Sequence, residues 1–599
     1  MTLLRHIHTQ IALLLILFLA GGCTTVSDSE PHRRIESDAT SSKDGENRPS
    51  KSVSGNGAPD TPTIESPIPQ ESILPLLTAE FLLREREFDT GLSILAEQAM
   101  LLEDPELTRR ALRLAEFRQT EGLTLPLALK LAEQDPADAA ASATSMALLI
   151  RAGRIEEAVV YARQALERGA QINAPALLVS YRDMPPAKQQ RLANEIESLA
   201  ADWPNNLEVG IALAFLHREQ GRFTQCLSDL EQVLLLAPAD DRALVLWTQV
   251  KLDTKAKDPF DRLERAVRDY PANEPLRLQY ARLLASEKML PEAQQEFEAL
   301  INLSPRNGDY LFSLALIHLE LKQFTDAEQH LLALLALGQR TDEAHYYLGR
   351  VAEQRGDPAS AIAAYQEVGP SREFLDAVGR AGRIALELGD EATVTASFNK
   401  ARQVSPSQAE RLFLLQAELL QDANLIDSAT AVLTDALENF PTSLSLFYAR
   451  AMAEEQRGNI EAMESDLRAV LEIDENNATT LNALGYTLTI HTTRYAEAAA
   501  LIEKALSISP GEPAILDSLG WVYFKLGRKN QAIDLLQQAY DMFPDPEVAA
   551  HLGEALWTSG KEDAALIIWR SSLADYPDNV HVTDTIERLG APVGDLADD

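Results

Sequence analysis

Cysteine is all but missing: Cys23 and Cys226 are the two present in 599 residues. That excludes a disulfide framework and any cysteine-rich metal site. Aromatic residues make up 6% of the chain, while Leu and Ala dominate, a balance that favours close-packed helices over sheets. Positive charge is short, with 54 Lys+Arg against 91 Asp+Glu and a net charge of −37. Such a chain lacks the basic face that displaces counterions from a nucleic-acid backbone, so nucleic acid is not expected as a partner. There is no HExxH, no Walker loop, no GxSxG and no CxxC. Carboxylates are abundant, but no pair is set apart by an apolar surrounding that would raise a pKa. No catalytic residue, metal or cofactor is therefore expected, and the chain does not read as an enzyme. What is there is 46% hydrophobic and 24% charged, the balance of a mostly globular chain.

The N-terminus carries Arg5, an apolar run from Ile11 to Ala20, two glycines and Cys23. This is a secretory signal pattern, too short to span a bilayer as a permanent helix. Leu19-Ala20-Gly21-Gly22-Cys23 resembles a bacterial lipobox, with Ala20 where leucine is usual. The resemblance implies that 1–22 is a lipoprotein signal peptide and that Cys23 becomes a lipidated N-terminus. Each buried CH2 contributes about 0.8 kcal/mol, so more than one acyl chain gives a stable anchor. Residue 24 is Thr rather than the Asp that resembles an inner-membrane retention signal. The expected location is thus the outer membrane of a Gram-negative bacterium, lipid-anchored and facing the periplasm. Residues 23–70 are rich in Ser, Pro and Gly; from Thr24 on they hold five Val/Ile and no Leu, Met, Phe, Trp or Tyr. Such a segment cannot offset chain entropy by burial and should remain a disordered tether.

From about Ser72 one period takes over. Prolines stand at 204, 238, 271, 305, 406, 441, 510, 544 and 577, at steps of about 34 residues or a multiple of it. Glycines at 153, 221, 356, 389, 458, 527 and 560 keep the same step. One unit reads Leu519-Gly520-Trp521-Val522-Tyr523, then Gly527, Ala532, Leu536, Ala539 and Pro544. Small Gly520 and Ala532 would let its two helices cross closely, Gly527 would supply the turn, and Pro544 would end the unit. These units resemble the tetratricopeptide repeat. The expected fold is all-α: a tetratricopeptide-repeat solenoid, a right-handed superhelix of about fifteen helical hairpins. Residues 71–204 form its degenerate N-terminal repeats, 205–577 the regular ones, and 578–599 a capping helix with an acidic tail. Met184-Pro185-Pro186 should shorten the first helix of the unit at 171–204. Val582, Ile586 and Leu589 repeat at helical spacing, as a cap over the last repeat requires.

Residues that could carry chemistry have simpler readings in this frame. His217 and His318 fall where the repeat wants a core aromatic, and Cys226 where it wants a small residue. Ser397 and Lys400 make an S-x-x-K without its companion motifs. The concave face remains. Positions five, nine and twelve of each first helix line it, giving Tyr448, Asn482, Tyr486, Asp517, Trp521, Phe524 and Trp557, with Phe312, Tyr346 and Arg350 upstream. Tyr and Trp offer large contact area with a polar tip and are enriched in binding hot spots. Position twelve is often aromatic for packing, which covers Phe524 and Trp557; position nine, held by Tyr486 and Trp521, has no such explanation.

The C-terminal run from Asn482 to Trp557 is similar to the large tetratricopeptide outer-membrane lipoproteins of gamma-proteobacteria, and resembles the pseudomonad lipoprotein adaptors of a carboxyl-terminal processing protease. That resemblance implies a non-catalytic adaptor. Its partners would be a periplasmic protease and the protease's substrates, peptidoglycan hydrolases among them. A different class of function, an assembly factor for a pilus, secretion channel or exopolysaccharide exporter, would use the same scaffold.

Overall fold

A computed structural model describes residues 68–592. The signal, Cys23, nearly all of the tether and the last residues of the acidic tail lie outside them. The described residues are helical and contain no strand. They divide into two compact units, one ending at Pro305 and the other starting at Arg306.

In the first unit seven hairpins follow one another, from Gln70–Arg84 with Phe88–Leu101 to Glu274–Ser286 with Leu290–Leu303. The fourth departs from the pattern. Its first helix is replaced by two 3-10 turns, Ala174–Leu178 and Tyr181–Asp183, before Pro186–Asp202. Pro185 and Pro186 lack the N–H groups that a continuing helix needs. The apolar residues are retained regardless: Leu177, Leu178 and Tyr181 are buried in one cluster with Ile196 and Leu199. In the second unit eight hairpins run from Gly308–Glu320 with Phe324–Leu337 to Pro546–Trp557 with Glu562–Asp575. Helix Val580–Leu589 then buries Val582 and Ile586 against the final hairpin, with Leu589 packed beside them. Together these are the fifteen hairpins that the period implies.

The proline ladder has a companion two residues downstream. Asn206, Asp240, Asn273, Asn307, Ser443 and Asn579 each follow a ladder proline by two, and each side chain accepts a backbone N–H in the first turn of the next helix. Proline stops one helix and the cap starts the next, each cap contributing about 1 kcal/mol relative to alanine. The glycine ladder marks a conformation rather than a residue. Gly221, Gly356 and Gly527 sit in the turn between helices with φ of +71°, +72° and +77°. Where glycine is missing, Arg86, Gln119, Lys255, Lys288, Lys322 and Asn424 take the same left-handed turn at about the same interval. The left-handed region costs a non-glycine residue roughly 1 kcal/mol, which packing in the neighbouring hairpins sustains.

Close crossing also follows from the small residues. A Cβ on Gly520 would stand 2.7 Å from Leu536 Cγ, and one on Gly553 would stand 2.0 Å from Trp569 Nε1. Trp569 is itself enclosed and cannot withdraw. Gly553→Ala is therefore expected to lower the unfolding free energy by about 1–3 kcal/mol, the usual cost of overpacking. Urea denaturation checks this, and an unchanged midpoint would contradict the crossing geometry.

Candidate partner-binding groove

Helices Leu444–Gln456, Ala478–His491, Pro513–Lys525 and Pro546–Trp557 are the first helices of four consecutive hairpins. Residues four apart on such a helix share a face. Tyr448 and Met452, Asn482 and Tyr486, and Asp517 accordingly line one groove of about 670 Å³ in the second unit. Its rim includes Phe543, which is 59% exposed. Tyr448 and Tyr486 are half-buried. The Tyr486 hydroxyl donates to the Glu547 carboxylate, and burial followed by that bond pushes its pKa upward. Burial, then Glu455, does the same to Tyr448. Both phenols are thus neutral donors at neutral pH.

Trp521 lies elsewhere. It is 5% exposed and does not line the groove. The His551 ring stacks on it with centroids 4.0 Å apart, and Phe524 stacks at 5.2 Å. Lys525 Nζ stands 4.1 Å from the indole centroid, and burial lowers its pKa. His551 Nδ1 is in turn 3.0 Å from Asp517 Oδ1, so the ring that covers Trp521 is held by a groove residue. Phe524 and Trp557 are half-buried, and Trp557 packs 5.9 Å from Trp569. Upstream, Phe312 and Tyr346 are 8% and 7% exposed and meet around Tyr347, at 5.4 and 5.1 Å. The Tyr346 hydroxyl donates to Asp376. These two rings belong to packing within and between neighbouring hairpins and do not line the groove.

Groove members that the periodic reading passed over include Glu455, Glu512, Asp545 and Glu547. Glu512 and Asp545 sit at helix N-caps and Glu547 in a first turn, outside positions five, nine and twelve. His551 is the sixth residue of Pro546–Trp557, one place past position five, and so also falls outside the periodic set.

The other chemical candidates are accounted for by burial. His217 pairs with Asp229, and His318 with Gln323 while stacking on His330. Cys226 is fully enclosed, and burial pushes its thiol up to about 12. The Ser397 hydroxyl accepts from Gln366, whereas Lys400 reaches the Gln366 carbonyl and Glu367, so the two are not engaged with each other. No three His, Cys, Asp or Glu among the described residues are placed to hold a metal ion.

Tetratricopeptide repeat models match residues 476–545 and, in a second version of the family, 281–339, 323–374 and 518–580. The chain is 34% identical over 553 residues to the TPR repeat-containing protein PA4667 of Pseudomonas aeruginosa, which spans 91% of this chain and 90% of that protein. It is 24% identical over 264 residues to cellulose synthase operon protein C of Pseudomonas fluorescens, or 41% of this chain and 21% of that one. Among solved structures, the APC/C hetero-tetramer Cut9-Hcn1 aligns with 86% of this chain and 96% of that chain at 15% identity, with a TM-score of 0.30.

Proposed function

The chain belongs to the tetratricopeptide-repeat family, and from that premise we propose that it is a non-catalytic adaptor lipoprotein of the outer membrane, facing the periplasm. It brings a carboxyl-terminal processing protease together with that protease's substrates, peptidoglycan hydrolases, by binding them as proteins. The observation that carries the reading is the groove. Four consecutive hairpins contribute to one concavity, and the first two present half-buried Tyr448 and Tyr486 to it, an arrangement that suits a polypeptide. Holding two partners on one tethered scaffold raises their effective concentration without any catalytic residue. The lipobox-like run ending at Cys23 and the resemblance of the run from Asn482 to Trp557 support the location and the protease.

The test is affinity capture of the full chain from detergent-solubilised membranes, followed by mass spectrometry. Recovery of a processing protease with a peptidoglycan hydrolase is the expected result. A second reading, an assembly factor for an exopolysaccharide exporter, is favoured by the similarity to cellulose synthase operon protein C. Recovery of exporter subunits without the protease would replace the first reading with the second.

The anchor makes its own prediction. Cys23→Ser removes the acylation site, and the protein is expected to move from the outer-membrane to the soluble periplasmic fraction, since no described helix is long and apolar enough to cross a membrane. Undiminished membrane partitioning of the variant would refute the lipidation.

A further inference from the structure

We propose that the groove between Tyr448 and Val548 is built for a basic segment of a partner protein, whose Lys or Arg side chains meet carboxylates on its walls while its apolar atoms lie against the tyrosines. This rests on the reading of the chain as a scaffold for protein partners and adds the chemistry of the occupant. Glu455, Glu512, Asp517, Asp545 and Glu547 line the groove, and no Lys, Arg or His does.

Most of these carboxylates are fixed in place before any partner arrives. Asp517 is held by His551, Glu547 by the Tyr486 hydroxyl, and Asp545 by the Glu547 backbone N–H at 2.8 Å. Glu455 lies 3.6 Å from His491 Nε2, and Glu512 is exposed with no ion pair among the described residues. The arginines nearby are committed elsewhere: Arg450 to Asp466, Arg468 and Arg494 to Glu464 and Glu497, Arg588 to Glu554. A concave wall of one charge sign focuses its field into the cleft, so an acidic segment or an anionic lipid headgroup is repelled and a cation is drawn in. A second feature asks for a donor. The side-chain oxygen of Asn482 is sheltered from solvent and has no hydrogen-bond partner. Sheltered acceptors are normally satisfied, and an ammonium, guanidinium or backbone N–H of the occupant would satisfy this one.

The experiment uses the full chain in detergent and a short fluorescein-labelled peptide alternating lysine with alanine, read by anisotropy. Glutamate–alanine and serine–alanine peptides serve as comparisons. The lysine peptide is expected to bind and the other two are not. Glu455→Gln with Glu512→Gln is expected to weaken binding about tenfold or more. Glu438→Gln with Glu472→Gln removes the same charge from exposed sites outside the groove and is expected to leave binding within about twofold. Equal weakening by both pairs would assign the binding to the general field of an acidic chain and overturn the proposal. Binding of the serine peptide as tightly as the lysine peptide would overturn it too.

Capture from membranes separates this inference from the reading beneath it. Loss of the captured partner in the Glu455→Gln, Glu512→Gln variant supports both. Retention there, with loss in Tyr448→Ala, leaves the scaffold standing and removes the basic occupant. A wild-type chain that captures nothing removes both.

Discussion

Trp521→Ala is expected to destabilise the fold by about 3–5 kcal/mol, the range for truncating an enclosed tryptophan. The ring fills the space between His551 and Phe524, with Lys525 lying across it, and solvent reaches 5% of it. Its Nε1 has no hydrogen-bond partner, so the loss is one of packing rather than of a polar contact. Chemical denaturation of the purified chain measures it. Partner binding should fall only as far as the folded fraction falls, so both quantities need the same sample. A midpoint equal to wild type would mean that the ring is uncovered in solution, and would restore Trp521 to the binding surface.

Tyr448→Ala with Phe543→Ala should do the opposite. Both residues line the groove, one half-buried and one largely exposed, and neither is in a fully enclosed core. Truncating two such anchors is expected to weaken partner binding by about 30-fold, equivalent to about 2 kcal/mol, with thermal stability little changed. Titration of the captured partner against wild type and variant decides it. Undiminished affinity would move the binding surface off the groove.

The period of about 34 residues made the hairpins legible, because proline and a capping side chain two residues later recur together at six of its boundaries. Where glycine gives way to Lys255 or Lys288, the turn conformation persists but leaves no trace in the residue type. The groove was half legible. Tyr448, Asn482, Tyr486 and Asp517 come together because they sit four apart, or one period apart, on parallel first helices. Trp521 shares that register, yet the next hairpin brings His551 down on it, and a frame that treats each unit alone does not contain that neighbour. Phe312 is covered in the same way by Tyr347 of the next hairpin, whereas Tyr346 is enclosed by Tyr347 and a tilted Tyr365 of its own. Glu512, Asp545 and Glu547 escaped because they lie at helix starts, where periodic positions say nothing; Glu455 holds position twelve of its helix, a place the frame marks without marking the acid.

The bond from Tyr486 to Glu547 joins residues 61 apart, from the first helix of one hairpin to the first helix of the hairpin two further on. A repeat array ordinarily loses order unit by unit, since each unit is coupled only to its immediate neighbours. A link that skips a unit adds a second-neighbour coupling and ties three hairpins into one opening event. Amides of Ala478–His491, Pro513–Lys525 and Pro546–Trp557 should therefore exchange with deuterium at a common opening free energy, instead of a gradient that falls toward the chain end. Tyr486→Phe, which keeps the ring and deletes the hydroxyl, should split that plateau, so that the last hairpin opens first and the groove loses its far wall before its floor.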